Sequence, residues 1–413
     1  MTKTILIVGT YDTKDDELGY LSACILKQGG NVLTMDVSVL GDPSEPTDYS
    51  KHEVAQAAGS TIQSAIDSGD ENKAMQIMAA GSSALTLDLY NQGLFDGVIV
   101  LGGTMGTDLA LDVTAVLPLG VPKYIVSTVS FSPLIPPERL AADVQMILWA
   151  GGLYGLNPVC KSSLSQAAGA VLGAAQAVER SESRPLIGMT SLGKTALKYM
   201  VRLKPALEAR GFDVAVFHTT GMGGRAFESL AAQGAFACVL DLCTQELGNH
   251  IHGSSISAGS DRLTNAGLNG TPQIVAPGCY DLVDVIDWQG LDPKWADHMY
   301  HAHNRLLGSV VLKNQEREVV AIAHAKQLSS SKGKSAFILP RGGCGEWDRP
   351  GADLHDPDGL KVFCDVFKLE CPENVELHET DAHINDDAFS DLVLSLFDDW
   401  LEAGIVKKTK TAQ

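Results

Sequence analysis

The sequence predicts an α/β protein of two doubly wound domains with mainly parallel sheets. Three observations predict this. Short apolar runs repeatedly end in glycine and feed helical patterns, as the strands and helices of a sheet covered on both faces do. The rhythm stops at the polar segment Ser181 to Pro185 and then restarts. The chain has 413 residues, more than one core usually serves, which places the domains at 1–183 and 184–413.

Composition narrows the function classes. The chain is 45% hydrophobic, holds 41 glycines and carries a formal charge of −19. That charge argues against a nucleic-acid partner or an anionic membrane surface, since both require clustered Lys and Arg. The eight cysteines include no C-x-x-C pair, so reduced thiols are expected rather than disulfides or a zinc ribbon. The first apolar run is too short for a signal segment and no long apolar span follows, so a cytoplasmic protein is expected.

In chain order, Thr4 to Val8 reads as a strand, the polar turn Tyr11 to Lys14 follows, and a helix runs through Leu18, Leu21 and Ile25. A second strand covers Asn31 to Val39, and Gly41 to Tyr49 is a proline-rich acidic loop placed to lie over a cleft. Helical patterns cover Glu53 to Ser68 and Asn72 to Gln92. Next comes Phe95 to Leu111, an apolar strand breaking into Gly102, Gly103, Thr104, Met105, Gly106 and Thr107 before a helix. Strands at Tyr124 to Val129 and Met146 to Ala150 and a helix from Asn157 to near Arg180 complete the first half. The second half repeats the pattern, with strands at Leu186 to Met189, Asp213 to His218, Phe236 to Leu242, Gln273 to Ala276, Gly308 to Leu312, Ser335 to Leu339 and Asn374 to Leu377. Its helices are placed at Ala196 to Arg210, Arg225 to Gln233, Asp261 to Leu268, Asn314 to Leu328, Asp358 to Phe367 and Asp386 to Ala403.

A strand that ends in glycines and enters a helix leaves backbone N–H groups unpaired, with the positive end of the helix dipole behind them. Such a turn binds phosphate. Gly102 to Thr107 has this form, with Thr104 and Thr107 as hydroxyl donors that also reach a phosphate-bound metal. Gly9, Thr10, Asp12 and Lys14 end the first strand on the same edge and offer a carboxylate for a ribose hydroxyl and an ammonium for a phosphate. The plainer readings are an ordinary βα turn and a helix cap at Thr13. Gly188 to Thr195 matches G-x-x-x-x-G-K-[ST], the phosphate loop of nucleotidases, but only Leu186 and Ile187 stand before it as a launching strand. In the second half, Arg225 follows a glycine turn and suits a bidentate anion. Glu246 and His250 lie one turn apart, His303 sits among three nearby histidines, and Cys344 lies among glycine amides that lower a thiol's pKa when a helix starts there.

The segments VGTYDTKDDEL, VIVLGGTMGT, IGMTSLGKT, DLCTQEL to SAGSDRL, TPQIVAPGCYDLV, HAHN and DPDGLKVF together resemble the uncharacterised family typified by the ATP-binding domain of the tomato mosaic virus resistance protein. The resemblance implies two Rossmann-like domains, ATP binding and self-association, with no settled reaction. Together with the motifs it places adenine nucleotide, with Mg²⁺, on Gly9, Thr10, Asp12, Lys14 and the Gly102 to Thr107 turn, with Thr190 and Gly193 closing the site. No metal site built from protein ligands is expected. Arg225, Glu246, Ser257, His303 and Cys344 are the candidates for handling a small polar or acidic metabolite in a cleft between the domains. The alternatives are a nucleotide-gated module that binds a protein partner without turnover, and a P-loop NTPase.

Overall fold

Uninterrupted apolar runs such as Ile5 to Val8 and Val98 to Leu101 suit strands buried on both faces, and the computed structural model places them there. It describes residues 2–178, 184–193 and 196–408. The chain divides into two compact units, Met1–Arg180 and Ser181–Gln413. Residues 181–183 of the polar segment, Lys194, Thr195 and the end of the tail lie outside the described residues.

The first unit runs β1 (Thr4–Gly9), α1 (Asp15–Lys27), β2 (Asn31–Asp36), α2 (Lys51–Ala57), α3 (Ile62–Asp67), α4 (Glu71–Asn91), β3 (Gly97–Gly102), α5 (Thr104–Ala115), β4 (Lys123–Ser127), β5 (Val144–Leu148) and α6 (Pro158–Ala177). Its sheet is wholly parallel in the order β2-β1-β3-β4-β5. Successive strand residues point to opposite faces. Leu6, Val8, Val98 and Val100 therefore pack with Met78 and Leu109 on one side, and Ile5, Ile7 and Ile99 pack with Leu21 and Leu164 on the other. The pattern read as one helix from Glu53 to Ser68 is two, α2 and α3. They break at Gly59, whose φ of +68° is left-handed and cannot continue a helix.

The second unit runs β6 (Leu186–Ser191), α7 (Lys198–Ala209), β7 (Asp213–His218), α8 (Met222–Ala232), β8 (Cys238–Cys243), α9 (Gln245–Ile251), α10 (Asn265–Leu268), β9 (Gln273–Gly278), β10 (Leu282–Ile286), β11 (Tyr300–Ala302), β12 (Leu307–Val311), α11 (Asn314–Leu328), β13 (Ser335–Pro340), α12 (Pro357–Glu370), β14 (Val375–Thr380) and α13 (Asp387–Glu402). Six strands form a parallel sheet in the order β14-β13-β9-β8-β6-β7. The first five of these strands in chain order repeat the arrangement of the first unit, reversing beside the first strand. Three short strands form a separate antiparallel sheet, β10-β12-β11. The sequence reading found only β12 of these; Tyr300–Ala302, with three residues, is too brief to show a period.

One charged residue sits at the centre of the second unit. Arg262 is fully buried and bonds Asp241 through both terminal nitrogens (2.5 and 2.7 Å), Glu228 (3.1 Å) and Glu246 (3.0 Å). The expected helix from Asp261 starts only at Asn265, because residues 261–264 form the turn that carries this guanidinium inward. Removing one member of a buried ion cluster strands the others without partners. Arg262→Ala is therefore expected to destabilise the second unit by about 3–5 kcal/mol, read as a lowered midpoint in urea unfolding followed by circular dichroism.

Candidate nucleotide site

Where strand order reverses, neighbouring connections leave the sheet in opposite directions and a crevice opens at the carboxyl edge. In the first unit that point lies between β1 and β3. A cavity of about 700 Å³ occupies it. Thr10, Asp12, Thr13 and Lys14 line it from the end of β1, and Gly102, Gly103, Thr104, Met105 and Gly106 from the end of β3. Seven of the residues expected on the nucleotide are thus brought together: Thr10, Asp12, Lys14, Gly102, Gly103, Thr104 and Gly106.

Among the described residues the amides at these helix starts are free. The first residues of α1 and α5 follow Lys14 and Gly103, and neither position supplies a side-chain cap. The N–H groups of Thr104, Met105 and Gly106 have no protein acceptor among the described residues. The helix cap considered at Thr13 is not formed. Its hydroxyl instead meets that of Thr10 at 3.1 Å, and its amide donates to the Thr10 carbonyl. The Lys14 ammonium lies 4.8 Å from the centre of the Tyr154 ring and pairs with no carboxylate among the described residues. An unpaired cation at a helix N-terminus, where the dipole disfavours it, adds to a local positive potential.

The glycines divide by what surrounds them. A Cβ on Gly102 would lie 2.5 Å from the Gly106 Cα, so the close packing of strand on helix requires glycine there. A Cβ on Gly103 would meet only Thr128 Oγ1, at 3.9 Å, and one on Gly106 would come no nearer than 3.5 Å to the Leu101 carbonyl. The protein's own packing does not demand glycine at these two positions. They keep open the space that a ligand would fill.

The opposite wall is apolar. Ala65 and Ile66 of α3, Ala74 and Met75 of α4, and Val37, Val39 and Leu40 after β2 form it. The sequence reading missed this wall, because these residues carry no motif and belong to the ordinary apolar face of their helices. Asp70 and Glu71 also reach the cavity, and the Asp70 carboxylate caps α4 on the amides of Asn72 and Lys73. The acidic loop Gly41 to Tyr49 is tied to the start of α1. Its Gly41 amide donates to Asp12 Oδ2 (3.3 Å), its Ser44 hydroxyl bonds Asp15, and Lys51 Nζ holds the Gly41 carbonyl at 2.7 Å.

Other expected site residues lie elsewhere. Gly9 is buried beneath Leu18, whose methyl groups a Cβ would meet at 2.8 Å. Thr107 is buried, with its hydroxyl on the Gly103 carbonyl (2.7 Å) and Ser127 Oγ (2.6 Å), so it braces the turn from behind. Thr190 is fully buried in β6. Its hydroxyl donates to Asp241 (2.8 Å) and accepts from the Cys243 amide (3.0 Å), which leaves nothing for a ligand. Gly193 is exposed in the following turn and gives its amide to His218.

The phosphate-loop match is overturned in its first half. Gly188, Met189, Thr190 and Ser191 are strand residues paired to β7, so the strand is longer than expected and no loop opens at Gly188. A Cβ on Gly188 would lie 2.9 Å from Phe227 and Phe236, which accounts for the glycine by packing. Asp241, in β8, is committed to Arg262. Lys194 and Thr195 lie outside the described residues.

In the second unit the glycine turn already holds an anion. Glu246 Oε1 accepts the amides of Gly221 (2.6 Å) and Gly224 (3.0 Å) while Oε2 meets Arg262. Burial pushes the Glu246 carboxyl up to about 7, against the pull of Arg262 and the two amides. Arg225 is clamped on Asp261 by both terminal nitrogens (2.5 and 2.9 Å). Ser257 Oγ meets His250 Nδ1 at 3.3 Å. Cys344 is buried, and burial raises its thiol well above the ordinary value, the opposite of an activated nucleophile. His303 is exposed beside Trp347, with ring centres 5.7 Å apart. All eight cysteines are free thiols. Among the described residues no helix is long and apolar enough to cross a membrane.

Fold and cavity define a protein of two doubly wound α/β units, the first open at its switch point. The chain belongs to the uncharacterised protein family UPF0261, whose N-terminal domain matches residues 3–180 and whose C-terminal domain matches residues 184–401. It is 52% identical over 409 residues to a UPF0261 protein of Brucella melitensis, covering 99% of this chain and 98% of that one. It is 32% identical to a UPF0261 protein of Clostridium tetani, covering 94% and 97%. It is also 26% identical to the ToMV susceptible protein tm-1(GCR26) of Solanum lycopersicum, covering 95% of this chain and 55% of that protein. Among solved structures it is similar to the S. aureus MnaA–UDP co-structure, at 11% identity and a TM-score of 0.22 over 67% of this chain and 79% of that one.

Two substitutions separate packing from ligand space. Gly103→Ala is expected to leave the melting temperature within a degree or two, whereas Gly102→Ala lowers it by several degrees (~4–8 °C per kcal/mol in a small domain, less in a larger one). Differential scanning calorimetry reads both. Native Cys344 is expected to resist iodoacetamide until the chain is unfolded, as mass spectrometry of its peptide will show.

Proposed function

We propose that the first unit binds an adenine nucleotide, ATP with Mg²⁺, in the cavity between β1 and β3. The observation that carries this reading is the pairing of free amides at Thr104 to Gly106 with an apolar wall across the same cavity. A nucleotide needs both, an anion cradle for its phosphates and a flat apolar surface for its base. The cavity volume lies within the range of about 300–1,000 Å³ usual for small-molecule sites. Lys14 supplies a cation on the phosphate side.

The carboxylates of Asp12, Asp70 and Glu71 disfavour a bare polyphosphate. They favour a hard cation with oxygen ligands, which is the physical case for Mg²⁺ in this proposal. Asp12 and the Thr10 and Thr13 hydroxyls also serve as partners for ribose hydroxyls.

The same proposal includes a second, small polar or acidic ligand, handled by residues of the second unit, and an ATP-dependent reaction. Self-association and a cytoplasmic setting, the latter in keeping with eight reduced thiols, belong to it as well. A nucleotide-gated module without turnover is the competing class. It differs in one observable, the absence of phosphate release under any metabolite.

Isothermal titration of the full chain with ATP tests the reading, with and without Mg²⁺. The expected result is saturable binding that needs Mg²⁺ and weakens at least about tenfold in Gly103→Ala and in Lys14→Ala, a loss on the order of 1.4 kcal/mol each. Absence of heat and of thermal stabilisation at millimolar ATP would contradict it.

A further inference from the structure

The antiparallel sheet of the second unit is fastened to α9 by a buried polar cluster that neither nucleotide binding nor the Arg262 network uses. Asp284, in β10, is its centre. Its amide donates to Asn249 Oδ1 at 2.8 Å, and its carbonyl accepts from Ser254 Oγ at 2.6 Å. Its Oδ1 accepts from Gln245 Nε2, in the first residue of α9, and from Oγ of its cross-strand neighbour Ser309 in β12, at 2.8 Å each. Gln245, Asn249, Asp284 and Ser309 are all buried.

Two atoms of this cluster are left over. Asp284 Oδ2 and Gln245 Oε1 are buried and meet no donor among the described residues. They belong to two groups already in contact, and each shares a carbon with one end of the bond from Gln245 Nε2 to Asp284 Oδ1. An ionised carboxylate and an amide oxygen can only accept, so an anionic Asp284 leaves both buried oxygens unsatisfied. A carboxylic acid has one O–H to give. With the proton on Oδ2, acid and amide exchange two hydrogen bonds, N–H to Oδ1 and O–H to Oε1, and both leftover oxygens are used at once. Burial acts in the same direction. It pushes the Asp284 carboxyl up, against the hydrogen bonds from Ser309 and Gln245 and the charge of His303. His303, in the turn between β11 and β12, is the titratable side chain that acts on Asp284 there; α9 and β12 present Gln245, Asn249 and Ser309, which do not titrate.

We propose that Asp284 is a neutral carboxylic acid in the folded protein at neutral pH, its Oδ2–H held by Gln245 Oε1, and that this proton is a pH-sensitive fastening between α9 and the sheet β10-β12-β11. By linkage, a carboxyl that holds its proton more tightly when folded contributes stability that is full below the ordinary aspartate pKa of about 3.9. That stability is lost as pH rises through the higher folded value. Ionisation sets an anion against an amide oxygen and loosens the contact of α9 with β10. The next residue of α9 is Glu246, which fills the Gly221 to Gly224 turn, so the same proton steadies the helix that closes that turn.

Asp284→Asn in the full chain tests this, because the new amide carries a permanent N–H where the acid carries its proton and keeps an acceptor on the other side. Melting temperatures of parent and variant are compared from about pH 5 to about pH 8. The other carboxyls that burial raises, Glu228, Glu246 and Asp281, are common to both chains and cancel. The variant is expected to fold and to gain several degrees on the parent as pH rises across this range. Hydrogen exchange at the highest pH is expected to be about tenfold slower in its β10 and β12 peptides than in those of the parent. The infrared difference spectrum of parent against variant at neutral pH is expected to show the carbonyl band of a protonated carboxyl. Parallel pH profiles, a variant that is less stable than the parent at every pH or does not fold, or absence of that band would overturn the proposal, since each is the behaviour of an ionised Asp284.

Discussion

Everything proposed for the first unit depends on one constraint, the reversal of strand order beside β1. Parallel strands cannot be joined by tight turns, so each connection rises from the carboxyl edge into a helix. Where two such connections part, nothing in the sheet can cover the edge. The glycine turn at Gly102 to Gly106 stands at that parting. Gly102 and Thr107 use their contacts to fix α5 against β3 and β4, and the amides of Thr104 to Gly106 stay unpaired among the described residues. The cavity follows from topology, and its chemistry follows from which groups the turn leaves free.

The two units share a topology and use it differently. In the second unit the amides of Gly221 and Gly224 meet the carboxylate of Glu246, which Arg262 anchors from below, so this glycine turn is a filled anion site and part of the core. Arg225 is likewise committed to Asp261. His218 at the end of β7 and His303 after β11 remain exposed. Similar strand–glycine–helix patterns thus serve a candidate binding site in one half and folding in the other.

Much of this was legible in the sequence, for identifiable reasons. Strands buried on both faces show as apolar runs, and helices with capped starts show their periods, so the parallel sheets and the glycine edge of β3 could be read directly. The turn after β1 was legible for the same reason. What could not be read depends on distant partners. The buried role of Thr190 needs Asp241, that of Glu246 needs Arg262, and that of Cys344 is a matter of depth, which no local pattern carries. The G-x-x-x-x-G-K-[ST] match failed because Gly188 to Ser191 lie within a strand. The apolar wall from Ala65 to Met75 went unseen because a wall residue and a core residue look alike in one dimension.

Hydrogen exchange with mass spectrometry, with and without Mg²⁺-ATP, tests the central claim most directly, because the claim concerns particular unpaired amides. Slower exchange confined to peptides spanning Thr10 to Glu17 and Gly103 to Thr107, with the Gly221 to Gly224 turn unchanged, is the predicted result. Unchanged exchange at Gly103 to Thr107 under saturating nucleotide, or protection appearing instead around Gly193, would contradict it.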